Sequence, residues 1–277
     1  MRSMLVGLFA LTVLTGWVSA QAPVAPRLRW QPGQILVYHV EHITNAADTM
    51  ADSRSETKSL LRVSKRWQVT EVDAAGTATL QLSLTAMLQE RTTPSGDVLR
   101  YDSANPDKST PQLKDALSHY LNTPLATIRV DALGRVVQVK ASKSDASSYE
   151  NELPFLCVLP TAAVKPGDSW ERSYQITLAP PLGTGEKYNA VQRYTCKELT
   201  ADQMTVTLVS ELKNSPTGAD AVPLWQFLPQ GEVSYDLKAG RLHSAKLHIY
   251  KEIKNHQGDN SSCTFSSTMT VQYAGDR

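Results

Sequence analysis

"LLRVSKRWQV", residues 60–69, decides the fold. In an extended chain Leu61, Val63, Trp67 and Val69 fall on one face, with Arg62, Ser64, Arg66 and Gln68 on the other. A period of two is the mark of a strand with one buried and one wet face. "TATLQLSL" repeats it through Ala78, Leu80, Leu82 and Leu84, and "MTVTLVS" through Met204, Val206 and Leu208. Near the end of the chain Cys263, Phe265, Met269, Val271 and Tyr273 again share a face. Such one-sided alternation predicts antiparallel sheet rather than a parallel sheet covered on both faces. The expected fold class is therefore all-β, built as curved sheets or partial barrels.

Helix signals are few. "TPQLKDALSHYLNTP" (110–124) places Leu113, Ala116, Leu117 and Tyr120 at helical spacing, with Thr110 as N-cap and Pro111 at the first helical position. One short helix near 111–122 is expected. "AVPLWQFLP" (221–229) is a weaker candidate, short and bounded by proline.

A second pattern overlies the strands. "WQPGQIL" (30–36) and "VKPGDSW" (164–170) each put a Pro-Gly pair before a strand. Leu36 and Val40 follow the first pair at the offsets where Trp170 and Tyr174 follow the second. Leu61, Val63, Trp67 and Val69 then answer to Tyr188, Ala190, Tyr194 and Cys196. Ala78, Leu80 and Leu82 answer to Met204, Val206 and Leu208. Finally "ATIRVDALGRVVQV" resembles "GEVSYDLKAGRLHSAKL": strand, Asp, Gly-Arg turn, strand. Four blocks in one order predict a tandem duplication. The expected organisation is a leader over 1–20, one β-rich unit over 21–140, a Ser-rich linker over 141–154 and a second unit over 155–277. Whether the units form separate lobes or one sheet stays open at this level.

The leader reads as a signal peptide. Arg2 precedes the apolar run "MLVGLFALTVLTGWV", and Val18-Ser19-Ala20 predicts cleavage after Ala20. The expected product is soluble, periplasmic or extracellular, with no membrane-spanning segment left. Lys+Arg number 28 against Asp+Glu 27, so no strong field exists to attract nucleic acid. Export permits a disulfide among Cys157, Cys196 and Cys263. Cys196 and Cys263 both fall on inward faces and form the candidate pair, two separate buried thiols being the other reading; Cys157 reads as core filling.

Chemistry-bearing patterns are missing from the sequence. The six histidines do not cluster, and no HExxH, CxxC, GxSxG or GxxxxGK[ST] spacing occurs. No metal, cofactor or catalytic residue is expected. "PLGTGEK" (181–187) reads as a loop joining two strands.

"YDSANP" (101–106), "VDALGRVVQV" (130–139) and "LPTAAVKPGDSW" (159–170) occur in this order. The chain thereby resembles a bacterial family of exported proteins of unknown function, with an aromatic-Asp-Ser block, a DxxG[KR]V turn and an LPxxxVxPGDxW motif. The resemblance spans residues 28–273 and brings no established activity. Many of those relatives resemble lipoproteins; this chain lacks their lipid-acceptor cysteine.

The functional expectation is an envelope protein, more binding module than enzyme, that takes a hydrophobic ligand or a partner into the concavity of its sheets. Trp67, Trp170, Tyr188 and Tyr194 could line that concavity, core packing being the preferred reading for most of them. The alternative is an assembly module acting through sheet edges. A hydrolase, the third class, would need a pocket that sets a Ser or Asp beside a His.

Overall fold

The computed structural model describes residues 23–50, 53–143, 149 and 154–275. The leader with Ala20, and most of the linker, lie outside the described residues. Among the described residues twelve strands form one antiparallel sheet: β1 (Ile35–Met50), β2 (Ser53–Val72), β3 (Ala78–Thr92), β4 (Val98–Asp102), β5 (Ala126–Val130), β6 (Val136–Ser142), β7 (Ser169–Leu178), β8 (Glu186–Leu199), β9 (Gln203–Leu212), β10 (Gln230–Asp236), β11 (Arg241–Lys254) and β12 (Ser262–Gly275). Their order across the sheet is β6-β5-β3-β2-β1-β12-β11-β10-β9-β8-β7, with β4 paired to β3 off this path. The all-β class is thus as expected, and the sheet is continuous, since β12 joins β1 to β11.

The helix α1 (Pro111–Leu117) is shorter than its sequence signal; Ser118–Tyr120 tightens to a 3-10 turn, and nothing in α1 is buried. Residues Gly218–Phe227 form a 3-10 segment with Leu224 and Trp225 buried.

The four matched blocks fall on β1 and β7, β2 and β8, β3 and β9, and the hairpins β5–β6 and β10–β11. Their strand entries share one geometry. Gly33 N donates to Val69 O and Val69 N to Gln34 O; Gly167 N donates to Cys196 O and Cys196 N to Asp168 O, all at 2.8–2.9 Å. Gly33 and Gly167 have φ of 83° and 94°, the left-handed backbone this bulge requires.

The sheet curls strongly, and its inner face carries the core. The pairing register puts Leu36, Tyr38 and Val40 of β1 in rows with Trp67, half-buried Lys65 and Val63 of β2. The rows continue through Val271 of β12, Ala245 of β11 and Val233 of β10. Residues 154–160, the apolar run after the linker, are buried throughout. Phe155 packs edge-on against Trp67 of β2, ring centroids 5.1 Å apart. Leu156 O accepts from Tyr194 Oη of β8 (3.1 Å) and Val158 O from Trp170 Nε1 of β7 (2.7 Å). Strands β2 and β8 stand six spacings apart, about 29 Å in a flat sheet, whereas four residues reach about 10 Å. Only a curled sheet lets one short segment touch both.

One end of the curl is tied by the N-terminal segment. Leu28 N donates to Ala132 O in the β5–β6 turn, and Arg29 N to Gly240 O in the β10–β11 turn, both at 2.8 Å. The two Asp/Gly turns thus meet on neighbouring residues of one strap.

Candidate functional site

Trp67, Trp170, Tyr188 and Tyr194 are all packed against other side chains. Trp67 and Tyr194 are 1% and 0% exposed. Trp170 stacks on Tyr194 with centroids 5.6 Å apart, and its indole N–H is spent on Val158. Tyr188 packs on a smaller cluster of Tyr174, Ile176, Leu178 and Leu224. The reason is that the chain fills its own concavity: residues 154–160 take one part, and the 3-10 segment takes another, held by Tyr174 Oη donating to Phe227 O at 2.9 Å. Burial pushes the Tyr174 hydroxyl up to about 12 and the Tyr235 hydroxyl well above its ordinary value. Tyr235 Oη donates to Cys157 O at 3.0 Å.

The Cys196–Cys263 disulfide is corrected. All three cysteines are free thiols. Cys196 pairs with Val206 on β9, Cys263 with Asp48 on β1, and strands β9, β10 and β11 stand between β8 and β12. Alternation places both side chains on the inner face but fixes no lateral distance. Peptide mapping without reductant is expected to recover three thiols. Cys157, pushed up to about 12 by burial, should resist alkylation at neutral pH until the protein unfolds.

The motifs of the family resemblance act as scaffold. Tyr101 is buried. Asp102 accepts from the backbone N–H of Ala104 and Asn105 and from Arg100 Nη2, at 3.0, 3.2 and 2.9 Å. The Arg100 bond, then Asn105, hold its carboxyl down at about 2. Ser103 exchanges bonds with Met87 at 2.8 and 2.9 Å. Asp131 accepts from Leu133 N and Arg135 N, both at 2.9 Å, which closes the β5–β6 turn.

Between the two filling segments a cavity of about 80 Å³ remains, at the point where β1, β11 and β12 extend past the filled core. Leu156 and Phe227 come from the filling segments, Leu247 and Ile249 from β11, and Met269 from β12. Its polar floor is His42 and Ser267, with Nε2 and Oγ 2.7 Å apart; Thr44 Oγ1 lies 3.3 Å from the same nitrogen. Burial and then Lys65 lower the His42 pKa, so this imidazole is neutral near pH 7. Beyond the cavity the same inner face continues through half-buried Leu61, Met87, Phe265 and Ile253. His39, three residues from His42, lies on the opposite face with Nδ1 3.0 Å from Ser64 Oγ. It lines an outer groove of about 450 Å³, beside an Arg62–Glu41 pair at 2.6 Å.

Both His–Ser pairs meet the condition set for a hydrolase, a serine beside a histidine at a pocket, and both lack the further parts of a catalytic serine. A base that activates serine is itself oriented by a third group, with donors aimed at a developing oxyanion. Among the described residues no carboxylate bonds to either ring, and both serines sit on strands. Ser267 carried a readable signal, since it belongs to the inward row of Phe265 and Met269.

No family model and no curated protein matches the chain. Among solved structures, one of lipovitellin, described by its lipid–protein interactions, matches 90% of this chain at 13% identity and a TM-score of 0.49. The chain spans only 26% of that protein. DynF of Micromonospora chersina matches over 96% of this chain and 94% of its own, at 11% identity and a TM-score of 0.23. The MucA/MucB complex of Pseudomonas aeruginosa matches over 85% and 89%, at 10% identity and 0.14. Among the described residues no helix is long and apolar enough to cross a membrane.

Proposed function

We propose that the chain is a non-enzymatic binding protein of the cell envelope, whose ligand is an apolar chain with one uncharged hydrogen-bonding group. The observation that carries this reading is the cavity between Leu156 and Phe227, with apolar walls and the His42–Ser267 pair as its floor. About 80 Å³ is well below the roughly 300 Å³ or more of a pocket that encloses a whole small molecule. The cavity therefore grips one end of the ligand. The remainder lies along the inner face past Leu61, Phe265 and Ile253. A neutral His42 and Ser267 suit a hydroxyl or an ester, with which both can exchange hydrogen bonds without a change of charge. Export rests on the leader residues 1–20, and membership of the exported family rests on the three motifs; both belong to the same proposal.

Native mass spectrometry tests the reading. Protein purified without detergent and exposed to a long-chain fatty alcohol should retain one molecule. Met269→Trp, which fills the cavity, should reduce retention about tenfold, as loss of about 1.4 kcal/mol would. Absence of any retained alcohol, or full retention by the Trp variant, overturns the proposed site.

A further inference from the structure

The two halves of the sheet are built alike and finished differently. β1-β2-β3-β5-β6 and β7-β8-β9-β10-β11 run in the same order, each entered by the same Pro-Gly bulge. The outer edge of β1 is occupied by β12, in a ladder from Tyr38↔Tyr273 to Thr49↔Ser262. β7 is the structural counterpart of β1, yet it ends the sheet. Among the described residues no strand pairs with its outer edge.

The ladders define which amides that edge presents. Cys196 N donates to Asp168 O, whereas Lys213 N donates to Asn189 O. On β8 the even-numbered residues thus bond to β7 and the odd-numbered ones to β9. Across from them Trp170, Arg172, Tyr174 and Ile176 direct their backbone groups to β8. Glu171, Ser173 and Gln175 direct theirs away from the sheet. Natural edges are guarded by shortness, by charged side chains, by proline or by bulges. The opposite edge, β6, has seven residues and carries Lys140. β7 has ten residues, "SWERSYQITL"; its two charges, Glu171 and Arg172, lie in its first half and leave Ser173–Leu178 without charge or proline.

We propose that the β7 edge receives an extended segment of a partner protein, antiparallel to β7 as β12 is to β1. The occupant of the equivalent edge defines its chemistry. β12, "SCTFSSTMTVQYAG", has no charged residue and alternates apolar with small polar side chains. A strand of this kind bonds to the backbone of Glu171, Ser173 and Gln175. Its apolar row extends the inner cluster of Tyr174, Ile176 and Leu178. Main-chain bonds give the affinity and the alternating side chains the register. The proposal is independent of any ligand in the inner cavity.

The test uses the whole chain and a synthetic peptide copying Ser262–Gly275, with Cys263→Ser, as probe. Saturating peptide should slow hydrogen exchange at Glu171, Ser173 and Gln175 by about tenfold or more. Ser173→Pro removes an edge N–H that has no partner among the described residues, together with one exposed bond from Lys213 to the Ser173 hydroxyl, so it should abolish that protection while lowering the melting temperature only slightly. Lys140→Glu, on the other edge, should leave protection intact. No protection on β7 at about 1 mM peptide (affinity weaker than about −4 kcal/mol), protection elsewhere in the sheet, or protection that survives Ser173→Pro overturns the proposal. So does dimerisation of the peptide-free chain through β7, which would make a second copy the occupant.

Discussion

Phe155→Ala is expected to lower unfolding free energy by about 3–5 kcal/mol, the range for truncating a fully buried phenylalanine. The ring is 1% exposed and meets Trp67 edge-on, in the preferred aromatic geometry. Its site cannot collapse easily, because its neighbours are held in place by bonds of their own. The carbonyls of Leu156, Cys157 and Val158 are held by Tyr194, Tyr235 and Trp170 at 3.1, 3.0 and 2.7 Å. A segment pinned at three successive residues leaves the space of the lost ring largely empty, so the cavity cost adds to the lost transfer energy. Urea unfolding should show a lower midpoint at unchanged slope. A loss under about 1 kcal/mol would mean that residues 154–160 are not part of the packed core.

That segment also marks the limit of what the sequence disclosed. The strands were legible because period two survives even where the neighbouring strand is unknown. Leu61, Val63, Trp67 and Val69 face inward as read, and His39 and His42 lie on opposite faces. Alternation says which face a residue takes and nothing of its distance across the sheet. Cys196 and Cys263 were accordingly assigned the correct face and the wrong neighbourhood. "LPFLCVLP" has no period at all. Its place inside the concavity depends on closure of the sheet over six strand spacings, a long-range property without local trace. The cavity suffers from the same limit, since Leu156, Phe227, Met269 and His42 come from four distant parts of the chain. The Pro-Gly entries and the Asp/Gly turns were readable because their backbone demands are local.

Gly231→Ala should be comparably damaging, for a different physical reason. Gly231 of β10 lies in an inward row between Leu208 of β9 and Leu247 of β11. Its φ is 150°, and a methyl group there would come within 2.2 Å of Lys246 O and 2.9 Å of Leu247 Cα. Both atoms are backbone of the adjacent strand, so no rotamer change relieves the contact. Either the β10–β11 ladder opens or the backbone of Gly231 adopts another conformation and breaks its pairing on both sides. Such strain belongs with the largest single-residue effects, about 3–5 kcal/mol. Gly240 offers the contrast. There the methyl group would meet Arg29 Cγ at 2.5 Å and Cβ at 2.8 Å, atoms of the N-terminal strap rather than of a sheet strand. Two of the nearest atoms belong to a flexible side chain and the backbone contact, Arg29 N at 2.9 Å, is longer than the 2.2 Å at Gly231, so Gly240→Ala should cost less. Thermal denaturation of both variants ranks them, and hydrogen exchange localises the damage: Gly231→Ala should expose amides along β10 and β11 before the rest of the sheet. If Gly231→Ala changed stability by under about 1 kcal/mol, the ladder beside the cavity would have slack enough to move, and the inner face there could not be a rigid seat for a ligand.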